Sequence, residues 1–274
     1  MSSANVVVLA LVIAAIGGGV AVGQTLYAVT EGASYAGGVK ELRTIDRTTC
    51  ATVSIIGTLS IAGDTINYVR GMAMDPTTGT MYGIYVSESA LYIGTINLST
   101  AVVTPVSTDT GFVEWLRDLT FDASGQLYAV SGNDGTNPNT LFTVNKSTGA
   151  LAVKVALSGN REHGIAFNPA TPTVLYHTYG TAATGDSGLE TVNVATNAIN
   201  PIGSTPDSAF REYGIVWDPM SQVFRVTNTA DDWITIGLDG TRTDTGSECA
   251  LSYFGLAFDQ TTTVPVELAG FDAD

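Results

Sequence analysis

The sequence predicts an all-β fold, a five-bladed β-propeller of four-stranded antiparallel blades, and two observations predict it. First, one unit recurs along the chain. A run ending in Asp or Asn appears as RGMAMDP at 70–76, RDLTFD at 117–122, HGIAFNP at 163–169, YGIVWDP at 213–219 and FGLAFD at 254–259. Second, the copies at the two ends are split. The chain opens on a second-strand run, TLYAVT at 25–30, and closes on a first-strand run with no second strand after it. Two such halves complete one blade, and a ring closed by its own ends leaves no open sheet edge at the seam.

The elements follow in order. After each first run comes a second: TMYGIYV at 80–86, QLYAVS at 126–131, VLYHTY at 174–179 and VFRVTN at 223–228. A third run comes next: RTIDRTT at 43–49, GTINLST at 94–100, FTVNKST at 142–148, ETVNVAT at 190–196 and ITIGLDG at 234–240. Each leads through a turn to a short β-prone stretch such as AVVTPV. The runs are rich in Val, Ile, Thr, Tyr and Phe and bounded by Gly, Pro, Asn and Asp, and no helical period competes. A unit of roughly 45 residues is the size of one propeller blade. A sixth blade is the alternative if residues 60–68 or the tail hide another copy.

Composition narrows the function. Hydrophobic residues make up 45% and charged residues 14% of the 274 positions, enough apolar mass for a core. Eleven Lys and Arg against 26 Asp and Glu give a formal charge of -15, which repels phosphate backbones, so no nucleic-acid partner is expected. Two His and two Cys leave little material for zinc sites or a Cys-His nucleophile, and no cofactor is expected beyond calcium.

Three segments are read: 1–23, 24–260 as the propeller, and 261–274 as a tail that alternates like an edge strand around Pro265. Residues 5–23 are almost wholly apolar, with Ala21 and Gly23 placed for a cut before Gln24. They read as an export signal, with a retained anchor or assembly segment as the alternative, and only the latter brings a membrane partner. A secreted or cell-surface location is expected.

The blade pattern over residues 24–260 resembles the NHL and YVTN group of repeat propellers. That resemblance implies the propeller and carries over no catalytic residue, because the group hosts binding modules, scaffolds and enzymes alike. The string VPVEL at 264–268 resembles a tail of secreted bacterial proteins and is in keeping with export.

Candidate site residues cluster at the first-strand starts. Arg70 and Arg117 stand one residue before the repeat glycine position, Arg161 and Arg211 three before it, so all four share a strand face. Asp118, Glu162 and Glu212 fall on the opposite face, and acid is expected to meet arginine across neighbouring blades as structural ion pairs. The functional alternative makes these acids a glycosidase-like pair at the channel mouth. Loops after second strands carry acid: Glu31, Glu88, Asp134, Asp186, Asp231 and Asp232. A solvated rim is expected, with Asp134, Asp186, Asp231 and Asp232 as weak calcium candidates lacking the full spacing of a calcium loop.

Asp75, Asp122, Asn168, Asp218 and Asp259 recur as turn openers, and Asn97 and Asn145, although within glycosylation-acceptor patterns, occupy a repeated turn position. His163 and His177 lie in one blade and are expected to be packed or hydrogen-bonded rather than metal-bound. Trp115, Trp217 and Trp233 sit at different repeat positions and read as core or rim aromatics. Cys50 and Cys249 are disulfide candidates, within the chain or between chains, although alternating strand directions place them at opposite ends of their blades. The expected partner is a further copy of the chain, as in an extracellular fibre, or a surface ligand; a lactone- or sugar-directed hydrolase or lyase and a calcium-assisted lectin are the alternatives. No catalytic residue is assigned.

Overall fold

A computed structural model describes residues 24–30, 38–88, 90–109, 114–159, 161–180, 187–205, 212–228 and 231–259. They form five antiparallel blades arranged in a ring. Blade 1 contains, from the axis outward, β21 (Tyr253–Phe258), β1 (Leu26–Thr30), β2 (Glu41–Ile45) and β3 (Thr52–Thr58). Blade 2 contains β5 (Tyr68–Met74), β6 (Met81–Val86), β7 (Leu91–Ile96) and β8 (Val102–Asp109), with the two-residue β4 (Ser60–Ile61) laid parallel to the start of β8. Blade 3 runs β9 (Glu114–Phe121), β10 (Leu127–Gly135), β11 (Thr140–Val144), β12 (Leu151–Ala156). Blade 4 runs β13 (Arg161–Phe167), β14 (Val174–Gly180), β15 (Ser187–Asn193), β16 (Ala198–Thr205). Blade 5 runs β17 (Glu212–Asp218), β18 (Val223–Asn228), β19 (Asp232–Ile236), β20 (Arg242–Glu248).

The ring closes as the split copies require. β1 pairs antiparallel with β21, Leu26 opposite Phe258 and Ala28 opposite Leu256. Residues 60–68 supply β4, added to an existing sheet, and the first residue of β5, and the tail 261–274 lies outside the described residues; the described ring has five blades.

Burial explains the composition of the runs. Each blade is covered on both faces by its neighbours, so its inner strands need apolar residues on both faces rather than in alternation. All six residues of β6 and of β21 are buried. The core consequently divides into five apolar clusters; one joins Leu119, Phe121 and Phe142 of blade 3 to Ala73 and Ile84 of blade 2. Outer strands meet solvent: Thr52 to Ile55 of β3 are exposed.

Cys50 and Cys249 are bonded to each other, with Cα atoms 5.3 Å apart. The strand-direction objection fails because blades twist. Successive strands rotate by roughly 20–25°, and Trp233 and Cys249 pack in one cluster with Cys50, Leu26 and Ile45 of blade 1. Trp233 at the start of β19 thereby donates its indole N–H to the Arg47 carbonyl in the β2–β3 turn, 2.9 Å away. Cys249 follows β20 and lies in the same cluster.

Candidate functional site

The turn openers have a structural role in the described blades. The carboxylate or amide oxygen of Asp75, Asp122, Asn168 and Asp218 accepts the backbone N–H two residues on, at 2.8–3.0 Å. Asn97 and Asn145 do the same for Ser99 and Ser147. At Asp46, the Thr48 hydroxyl and the Thr48 and Thr49 N–H groups hold the carboxyl down to about 2. Asp259 is described, but the residues after it are not.

Two turns also carry ion pairs between blades. Lys146 Nζ of blade 3 meets Asp75 Oδ2 of blade 2 at 2.6 Å, and Arg47 Nη1 of blade 1 meets Asp218 Oδ1 of blade 5 at 3.1 Å. Asp218 is fully buried and also accepts from Arg225 Nε at 3.2 Å. Burial pushes the Asp218 carboxyl up, but hydrogen bonds from Ser221, Met220 and Arg225 outweigh it and hold the group below its usual range. These pairs lie at the inner-strand ends, opposite to where arginine and acid were expected to meet. Arg47 and Lys146 each follow the turn residue of a third run by one position, and that shared offset was the signal available in the sequence.

At the inner-strand starts the described residues arrange differently from expectation. Arg70 lies over the rings of Tyr68 and Trp115, its guanidinium carbon 5.8 Å from each centroid. Arg117 reaches Asp134 of its own blade, at 3.8 Å. Asp118 is bonded to backbone: Oδ1 accepts from Leu119 N at 2.8 Å and Oδ2 from Ile165 N of blade 4 at 2.9 Å. The side chains of Arg161, Glu162 and Glu212, and all of Arg211, lie outside the described residues.

The position of Asp118 explains this departure. In the other four blades the equivalent residue is Gly71, Gly164, Gly214 or Gly255. A Cβ at each would point at the next inner strand: at Ile215 from Gly164, at Leu256 from Gly214, and at Met72 from Gly255. At Gly71 it would collide with Asp118 Oδ1 and stand 2.9 Å from the Asp118 Cα. The strands are too close for a side chain at most of these points. Asp118 carries the one side chain at this level, buried against backbone N–H groups, and burial raises its carboxyl well above the usual range despite both hydrogen bonds. Beyond this level a cavity of about 170 Å³ opens toward the inner-strand ends, lined by Met72, Leu119, Asp122, Ile215, Trp217 and Leu256 among others.

A second buried constellation runs outward through blade 4. Asn139 Oδ1 stands 3.0 Å from His163 Nε2, His163 Nδ1 2.8 Å from His177 Nε2, and His177 Nδ1 2.9 Å from Glu190 Oε1, which also accepts from Ser158 N at 3.1 Å. His163, His177 and Glu190 are each at most 2% exposed. With Oδ1 of Asn139 as acceptor, His163 donates through Nε2 and accepts at Nδ1, so His177 donates from both nitrogens and is an imidazolium facing the Glu190 carboxylate. Turning the Asn139 amide over reverses the donors of the Asn139–His163 and His163–His177 bonds, keeps His177 Nδ1 donating to Glu190, and leaves both rings neutral.

Burial favours the neutral arrangement. It pushes His163 down to about 2, helped by His177 and Arg117, and it lowers His177 even against the pull of Glu190. Glu190 is held below its usual range, since bonds from His177 and Ser158 outweigh its burial. The two rings lie nearly parallel and edge to edge, centroids 5.0 Å apart, in keeping with the packed or hydrogen-bonded reading of the pair. Glu190 and Asn139 went unremarked in the sequence, because their link to the histidines is made only by the folded blades.

The calcium candidates do not converge among the described residues, where no group of three metal-ligating side chains stands together. Asp231 accepts from Ser252, Asp232 from Asn228, and Asp134 is exposed beside Arg117. Asp186 and Glu31 lie outside the described residues, and Glu88 is exposed. Trp217 and Trp233 are buried in the core, and Trp115 is half-buried beside Arg70.

No protein-family model and no curated protein matches the sequence. Solved structures do match the fold. A chain of a nidogen/laminin complex superposes with a TM-score of 0.56 at 14% identity, over 87% of this chain and 99% of that one. The PQQ-bound aldose sugar dehydrogenase from Streptomyces coelicolor gives 0.51 at 12% identity, over 85% and 84%. The chain is similar to these proteins in fold alone, and the fold is that of a β-propeller.

Proposed function

We propose that the chain is a secreted or cell-surface β-propeller that works by binding, with further copies of itself among its partners, as in an extracellular fibre. One observation carries the reading: Asp118, His163, His177 and Glu190 are turned inward and matched. Asp118 is taken up by backbone N–H groups, and Glu190 and both histidines bond one another in a buried chain. A proton donor for catalysis must reach a substrate atom, whereas these groups are within 3% of full burial. The outer strands, by contrast, present exposed apolar residues. The likeness in fold to a chain of a nidogen/laminin complex is in keeping with a role in protein binding. Native mass determination with negative-stain imaging tests this reading. Species of several chain masses that grow with concentration are expected; a particle of one chain mass at every concentration overturns it.

The histidine chain beside Arg117 favours one competing reading, a hydrolase or lyase acting on sugar or lactone at the inner-strand starts. Turnover of a lactone panel, abolished by His163→Gln, would establish that reading in place of ours.

A further inference from the structure

The rim of the ring has five outer strands, and four of them carry a device that discourages edge-to-edge pairing. β8 contains Pro105 and has β4 laid along its start. β12 contains Lys154, β16 contains Pro201, and β20 carries Arg242, Asp244 and Glu248. β3 has none of these. Its sequence TVSIIGT holds no proline and no charge, and Val53 and Ile55 are 69% and 54% exposed. A bulge between its pairings with Leu42 and Arg43 adds Ile56 to the same apolar stretch. Beside it runs a groove of about 530 Å³ of mixed lining, with Tyr27, Val53 and Ile56 beside Gln24, Asp46 and Arg47 among others.

We propose that β3 is a self-association edge: two copies of this chain pair β3 to β3, antiparallel about a two-fold axis, joining their two blade 1 sheets into one. The occupant is argued from charge. Each chain carries a formal -15, so two copies meet at least cost where neither presents a charge. Among the five outer strands, self-pairing of β12 would bring lysine toward lysine, self-pairing of β20 would set Arg242 opposite Glu248 but take Arg242, Asp244 and Glu248 out of water, and the prolines of β8 and β16 withhold a ladder N–H. A β3 pair escapes both penalties, buries Val53 and Ile55, and makes a self-complementary contact that a two-fold axis closes. The proposal rests on the binding reading above and names its partner.

The test compares the wild-type full-length chain with Val53→Lys/Ile55→Lys and, as a control on an edge that already carries lysine, Val153→Lys. Sedimentation velocity across micromolar concentrations should find self-association in the wild type and in Val153→Lys. The β3 variant should weaken it by roughly 100-fold or more, with the circular dichroism of the fold unchanged. Hydrogen exchange at β3 gives a readout that needs no variant: it should slow as wild-type concentration rises. Self-association unchanged in the folded β3 variant, or β3 exchange independent of concentration in an associating wild type, overturns β3 as the edge and leaves the binding reading standing. A wild type that stays single throughout overturns both.

Discussion

Asp118 is the residue at which one blade departs from the other four, and its surroundings make two effects separable. Gly71→Ala drives a methyl group into the Asp118 side chain and backbone, an overpacking cost of roughly 1–3 kcal/mol. Adding Asp118→Gly should recover part of it, since the carboxyl leaves while the Cα at 2.9 Å and Leu119 N at 3.0 Å remain. A double-mutant cycle of urea midpoints checks this. The same carboxyl has its folded-state pKa raised, so between the ordinary carboxylate range and that raised value the native state keeps a proton that the unfolded chain has lost. Native stability therefore falls as pH rises through that window. Asp118→Gly should gain on the wild type as pH rises above the ordinary carboxylate range.

His163 titrates with the opposite consequence. Its folded-state value is about 2, so below pH 6.5 the unfolded chain takes up a proton that the native ring refuses. Stability is full above pH 6.5 and falls on acidification by about 1.4 kcal/mol per pH unit for one such ring. Thermal melts at pH 7 and pH 5 should show this loss, and His163→Asn should flatten it. Asp118 stood out in the sequence as the exception to a glycine pattern. Its partner did not, because the Ile165 N–H belongs to another blade and no spacing along the chain records it.

At the scale of the element, the β2–β3 and β11–β12 turns are the joints between blades. Arg47 and Lys146 leave equivalent turns and each reach the Asp that ends the inner strand of the preceding blade. Their costs differ with burial. Arg47→Met strips one of two cations from fully buried Asp218 and should cost roughly 2–3 kcal/mol, less than a complete loss of partners because Arg225 stays. Lys146 is one-third exposed, and Lys146→Met should cost roughly 1 kcal/mol. Guanidinium unfolding of the two variants checks the order. The strands themselves were legible because a blade demands β-branched and aromatic runs bounded by turn formers. The Arg47 and Lys146 pairs were not read from the sequence, because strand parity gives the face on which a side chain projects, but not which neighbouring turn comes within reach of it.

For the molecule as a whole, the chain closes its own ring inside blade 1, by the β1–β21 pairing. The adjoining seam with blade 5 holds the Arg47–Asp218 pair, the Trp233–Arg47 hydrogen bond and the Cys50–Cys249 bond. The disulfide spans 199 residues, so by loop-closure entropy it restrains the unfolded chain by roughly 5 kcal/mol. Cys50→Ser/Cys249→Ser should lower the denaturant midpoint accordingly. The pair of variants should also unfold from the seam, with hydrogen exchange rising first in β1 and β21. The formal charge of -15 adds a condition at this scale: association between copies should tighten as salt is raised from 20 to 200 mM, since screening weakens the repulsion of like-charged particles.

The sequence by itself determined the number of blades, the order of strands and the way the ends meet, because repetition and turn chemistry are local and leave their marks in the order of residues. It also determined the turn roles of Asp75, Asp122, Asn168 and Asp218, whose turn-forming bonds reach only two residues on. Tertiary structure alone decided the partners of Asp118, the chain from Asn139 to Glu190, and the joining of Cys50 to Cys249. Each of these depends on the twist of a blade and the closeness of its neighbour, which are distances between elements that the linear order of residues does not carry.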